Sequence, residues 1–178
     1  MRFAPRHGLA IIRVAMKLHT IGHSNHDIEA FIALLRRHEI NLLIDTRSQP
    51  YSRYSPHFNR EPLQRALAQH DIAYIHLGAE LGGRPAGSGY YLANGKVDYA
   101  LLAAAPFYLA GIERLLALAA EQPVAFMCSE GDHKHCHRYW LITRTLVERG
   151  IAVAHILPSG ELVASSANEF VPEQPSLF

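Results

Sequence analysis

Cysteine is scarce in this sequence: Cys128 and Cys136 are the two in a chain of 178 residues. Two thiols cannot build the disulfide framework of a small secreted domain, so a cytoplasmic location is the expectation. Also lacking is any apolar run near the roughly 20 residues that cross a bilayer, so no membrane partner is expected. Charge of one sign is missing too. The formal net charge is +1, which gives no global basic field to steer the chain onto nucleic acid. Arginines cluster in loops, so a local basic patch stays open as a possibility.

What is present suits one folded body. Hydrophobic residues make up 49% and charged residues 19% of a chain long enough to bury a real core. The opening "MRFAPRHGLAIIRVA" puts two arginines ahead of an apolar stretch, as a secretory signal does. Arg13 interrupts that stretch, and no small-residue cleavage site follows cleanly. Met16 then opens "MKLHTIGHS", a natural domain start. The expected organisation is a flexible extension over residues 1–15, one α/β domain over 16–157, and a partly disordered tail over 158–178.

Hydrophobic periodicity places the elements. "KLHTIG", "INLLID", "IAYIHL", "PVAFMC" and "AVAHIL" read as five strands. "INLLID" is apolar without alternation, as in a strand buried on both faces. Between them lie helical patterns. "SNHDIEAFIALLRRHEI" carries an apolar stripe and can be capped by Asn25 or Ser24. "NREPLQRALAQH" is capped by Asn59. Residues 98–121 are helical with a break near Pro106, and "HCHRYWLITRTLVERG" closes at Gly150. Strand and helix alternate five times. The predicted fold is a single three-layer α/β domain, with a mainly parallel sheet of about five strands and helices on both faces.

Ligands of open parallel sheets sit beyond the carboxyl ends of the strands. Four polar clusters fall there. His23 and Ser24 follow the first strand; Asp45, Arg47 and Arg53 follow the second; Arg84 follows the third; "CSEGDHKHCHR" follows the fourth. The last holds Cys128, Glu130, His133, His135, Cys136, His137 and Arg138. A helix start within about six residues of Cys128 lowers a thiol pKa and attracts anions. Cys128 is therefore a candidate thiolate nucleophile, with His137 or His23 as acid or base, and Asp45 and Glu130 as orienting acids. A buried, inert cysteine is the competing reading of Cys128, and a small core residue that of Cys136. Metal is expected to be absent, because C-x7-C is not the short paired spacing of structural zinc sites. No cofactor is expected. Ser24, Arg47, Arg53, Arg84 and Arg138 are candidate binders of an anionic small molecule, a nucleotide or a nucleic-acid backbone. A non-catalytic binding module using the same rim is the alternative.

With those residues in place, the chain resembles the DUF488 family, a domain of unknown function. The matching pieces are "TIGHSN" (20–25), "LLIDTRSQPYSR" (42–53), "LGAELGGRP" (77–85) and "CSEGDHKHCHR" (128–138), in the family's order. The resemblance implies a compact α/β domain. "DTR" stands where the family pattern has D-V-R. A second, more distant resemblance is to rhodanese-like domains, through "LLIDTR" and the strand, cysteine loop and helix after Pro123. It implies sulfur transfer through Cys128; Gly131 fits the tight C-x-x-G-x-R cradle, but Lys134 or Arg138 would have to replace its arginine and the loop is longer. Finally, "QPSLF" resembles the peptide with which bacterial replication and repair proteins dock to the sliding clamp. Gln174, Leu177 and Phe178 match it and Pro175 departs. That resemblance implies the clamp as a partner.

Overall fold

The structure, a computed structural model, describes residues 18–170. The expected extension 1–15 and the clamp-like residues 174–178 lie outside the described residues.

Six strands form one sheet in the order β3-β2-β4-β1-β5-β6. They are β1 (Leu18–Gly22), β2 (Leu42–Asp45), β3 (Ala73–His76), β4 (Val124–Cys128), β5 (Val153–Ile156) and β6 (Leu162–Ser165). The first five pair in parallel, and β6 pairs antiparallel with β5. The three central strands β1, β2 and β4 are buried at every residue, which is why "LLID" and "VAFMC" lack alternation. Edge strand β6 is largely exposed.

Alternate strand residues feed two cores, since successive side chains point to opposite sides of a sheet. Ile21, Leu43, Ala125, Met127 and Ile156 pack with Phe31, Ile32 and Leu35 of α1 (Ile28–Arg37) and with Leu63 and Leu67 of α2 (Arg60–Ala68). Leu18, Leu42, Ile44, Val124, Phe126 and Val153 pack with Leu102 of α4 (Tyr99–Ala103) and with Tyr108, Ile112 and Leu115 of α5 (Pro106–Glu121). The same core takes in Leu146 of α6 (Arg144–Glu148). A short turn, α3 (Gly78–Leu81), precedes α4. Each fully buried leucine or phenylalanine contributes about 2 kcal/mol. Truncating Leu35 to alanine would therefore cost about 2–5 kcal/mol once the cavity is included.

Details depart from the sequence reading. Asp27, not Ser24 or Asn25, caps α1: its side chain accepts from the Ala30 N–H at 2.7 Å. Asn59 precedes α2 without capping it by its side chain, because its amide oxygen accepts from the Ser52 N–H at 2.6 Å. The expected break at Pro106 separates α4 from α5, with proline in the first turn where no N–H is needed. The helix after β4 is π-helical over Arg138–Thr143 before becoming α6. There the Thr143 hydroxyl reaches back five residues to the Arg138 carbonyl at 2.8 Å. The hydroxyls of Tyr108 and Thr145 also reach the Leu141 carbonyl, at 3.1 and 2.8 Å. Such π segments concentrate at functional sites. Beyond residue 157, where the sequence pattern has no element, β6 forms across the turn at Gly160, and Phe170 packs on Tyr139.

Candidate functional site

β4 lies between β1 and β2. The helices after β1 and β2 pack in one core, while those after β3 and β4 pack in the other. The chain thus leaves neighbouring strand ends toward opposite faces, which opens the ligand position of a parallel sheet at the end of β4. Cys128 is the last residue of that strand.

Cys128 and Cys136 are both buried and unbridged, with their sulfurs 3.2 Å apart. Cys136 is held beyond a 3₁₀ turn, His133–His135, started by the Asp132 side chain accepting from the Lys134 N–H. Over the pair lies Arg138, only 1% exposed. Its Nη1 is 3.4 Å from the Cys128 sulfur and its Nη2 donates to the Gly131 carbonyl at 3.2 Å. Its Nε is buried with no partner. Gly22 makes room for this guanidinium: a Cβ there would meet Arg138 Nη1 at 2.6 Å and collide with the Glu130 carbonyl.

The thiols titrate as a pair. The Cys128 S–H donates to Cys136, and this bond, aided by Arg138 against the opposing cost of burial, brings the Cys136 thiol down to about 7. The same bond and burial push Cys128 up. A single ionisation near neutral pH is thus shared between two sulfurs beneath a cation.

His23 adjoins through the backbone, its N–H donating to the Cys128 carbonyl at 3.1 Å. Its ring stacks on Phe58 at 4.4 Å, and Nδ1 is 2.9 Å from the Ser24 carbonyl. Nε2 is buried without a partner. Burial, then the charge of Arg47, lowers its pKa to about 4, so the ring is neutral. Ser24 ties the two loops together, its N–H donating to the Ser129 carbonyl at 2.9 Å. It does so at φ +48°, a conformation that serine rarely adopts.

Asp45 and Arg47 form a separate, closed unit. Asp45 is fully buried and accepts from the Arg47 N–H, Nε and Nη2 at 3.0, 2.9 and 2.7 Å, and from the Tyr74 hydroxyl at 2.7 Å. Arg47 Nη2 also donates to the Phe58 carbonyl at 2.8 Å. His137 turns toward this end of β2, with Nε2 at 3.1 Å from the Thr46 carbonyl and 3.2 Å from its hydroxyl. Burial lowers its pKa to about 4. Gly83 lies against its ring, where a Cβ would come within 2.7 Å.

Glu130 exposes its side chain, and its carbonyl lies 3.8 Å from the Cys128 sulfur. Arg53 and Arg84 are exposed in their loops, and Arg84 is anchored by its N–H to Ser48 Oγ at 3.0 Å. A groove of about 200 Å³ opens elsewhere, lined by Tyr99, Trp140, Arg144 and Glu148 among others; its lining includes neither cysteine.

Sequence reasoning missed a histidine pair. His155 on β5 is fully buried between Thr20 and Ser165, each 2.7 Å from a ring nitrogen. His133 stacks on it at 4.0 Å and so seats the cysteine loop on the sheet. The histidine in "AVAHIL" at a strand position was the available signal.

The description "Domain of unknown function DUF488" belongs to the family model that matches residues 27–145. That span takes in three of the four segments singled out above and starts just after "TIGHSN". No match was found among curated proteins or among solved structures, and the rhodanese-like resemblance finds no support in these comparisons. Among the described residues, no helix is long and apolar enough to cross a membrane. With about two-thirds of its length covered by the match, the chain belongs to the DUF488 family.

Proposed function

We propose that the end of β4 is a thiol-based active site for an anionic substrate, with nucleotide or nucleic-acid phosphate the favoured class. The observation that carries this reading is the buried thiol pair beneath a buried guanidinium whose Nε has no partner. Cys128 is the reacting sulfur. The Cys136 thiolate, 3.2 Å away, takes its proton, which is the nucleophile-and-base relation in its shortest form. As the proton crosses, charge moves onto Cys128 beside Arg138 and is stabilised there. His23, neutral and donating its one ring proton from Nδ1 to the Ser24 carbonyl, presents a bare Nε2 and so acts as a base that accepts a proton at the rim. Asp45, Arg47 and His137 hold the end of β2 in place; the carbonyl of Glu130 and the backbone of Ser24 fix the cysteine loop. Exposed Arg53 and Arg84 gather the anion.

The test is the pH dependence of alkylation by iodoacetamide. The reduced protein should react with an apparent pKa near 7, and Cys136→Ser should move it to about 8.5 or above, the range of an ordinary thiol. A short single-stranded oligonucleotide should slow the reaction. A wild-type thiol that titrates near pH 8.5, or does not react at all, removes the nucleophile and leaves the rim as an anion-binding surface only.

For the tail, we propose that Gln174, Leu177 and Phe178 dock to a bacterial sliding clamp. The support is the spacing of an amide and an aliphatic-aromatic pair, which is how a peptide anchors in an apolar pocket.

A further inference from the structure

We propose that Cys128 and Cys136 are a site of reversible oxidation, closing to an intramolecular disulfide when a hydroperoxide reaches the pair. The inference deepens the thiol reading above, since it concerns the same sulfurs, but it stands on distances of its own.

The sulfurs are 3.2 Å apart, and a disulfide needs about 2.05 Å. Only about 1 Å of approach is missing. The two partners differ in freedom. Cys128 ends a central strand paired on both sides, so it is fixed. Cys136 lies between the 3₁₀ turn and the π-helical segment, with extended backbone (φ −141°, ψ 167°), where a small rotation moves the sulfur without breaking a ladder. Cys136 is also the less covered, at 9% against 2% exposed.

The electron count closes in two steps. The Cys136 thiolate attacks one peroxide oxygen, the O–O bond breaks, and a sulfenic acid forms on Cys136. The departing hydroxide takes the proton of the Cys128 thiol and leaves as water. The new Cys128 thiolate attacks the Cys136 sulfur, the S–O bond breaks, hydroxide leaves, and the S–S bond forms. The sulfur pair has lost two electrons and the peroxide has gained them. An external dithiol reverses the reaction by thiol–disulfide exchange. Arg138, 3.4 Å from Cys128, stabilises the thiolate needed in the second step. A resolving thiol this close protects Cys136 from further oxidation to the sulfinic acid. Closure also removes the nucleophile of the reduced site.

The test uses the full chain, which holds no other cysteine. The protein is treated with stoichiometric hydrogen peroxide, denatured in N-ethylmaleimide and weighed intact. The expected result is a monomer lighter by two hydrogens that takes up no maleimide, with both alkylatable thiols restored by dithiothreitol. Two maleimide adducts after treatment, added oxygen atoms on the wild type, or a disulfide-linked dimer would each overturn the proposal. Cys128→Ser should instead accumulate added oxygen on Cys136. The alkylation profile of the reduced protein is measured separately, so the thiol site and its oxidation fail independently.

Discussion

Two neighbouring strand ends carry polar clusters of similar size, and they are built on opposite principles. At the end of β2, Asp45 and Arg47 satisfy each other, and Tyr74 and the Phe58 carbonyl complete the set. At the end of β4, Cys128, Cys136 and Arg138 touch one another but remain incomplete, with Arg138 Nε and, on the adjoining loop, His23 Nε2 both buried and unpaired. A buried polar group without a partner carries a real free-energy cost, and several of them gather around this strand end, the ring nitrogens of His133 included. The closed cluster is architecture. On the proposed reading, the open one is where a ligand or a reaction would fit.

The comparison makes Asp45→Ala the most damaging change. It strands the Arg47 guanidinium in the core and should cost roughly 3–5 kcal/mol, read from the urea midpoint. A loss below about 1 kcal/mol would mean that the β2 cluster is not the structural one. Acid should be the next largest perturbation. The folded pKa values of His23 and His137 are about 4 and that of His155 about 3, all below the ordinary 6.5. The unfolded chain therefore takes up these protons first as the pH falls. The stability tied to neutral rings is fully present above about pH 6.5 and is lost as the pH falls from there toward 4. Each histidine accounts for about 1 kcal/mol per pH unit in that window. Melting temperatures at pH 7.5 and 5.5 measure the sum, and His137→Gln should remove one share of the slope.

At the open cluster, a substitution should change chemistry more than stability. Arg138→Gln removes the cation above the thiols and should raise the thiol pKa by about one unit. That is about a tenfold fall in alkylation rate at pH 6, and far-UV circular dichroism checks that the fold survives. An unchanged rate would reduce Arg138 to a loop brace. The smallest effect belongs to the tail. Truncation after Glu173 should leave the melting temperature unchanged and abolish sliding-clamp binding, itself of micromolar class at best, about 8 kcal/mol. Failure of the intact chain to bind a clamp would end that reading.

Local pattern was enough for much of the architecture. Unbroken apolar runs in "INLLID" and "PVAFMC" signal strands covered on both sides, and β2 and β4 are buried throughout. The helical stripe after "TIGHSN" is equally local. β6 escaped because its residues are mostly exposed and short of alternation, so its place comes from pairing with β5 rather than from its own sequence. The cap of α1 escaped because Ser24, Asn25 and Asp27 are all good caps, and the link of the Ser24 N–H to Ser129 places that residue in a loop instead.

The candidate site divides along the same line. Composition and spacing determined that cysteines, histidines and arginines would crowd the carboxyl ends of parallel strands, because strand–helix alternation forces the loops there. Which of them meet was decided only in three dimensions. Arg47 and Arg138 look alike in sequence, yet one is spent on a carboxylate two residues away and the other lies over a thiol ten residues away. Cys136 reads as a core filler until β4 and the π-helical segment bring its sulfur to 3.2 Å from Cys128. Hydrogen bonds and pKa shifts depend on ångström distances between groups remote along the chain, and the one-dimensional pattern carries only which side of an element a residue occupies.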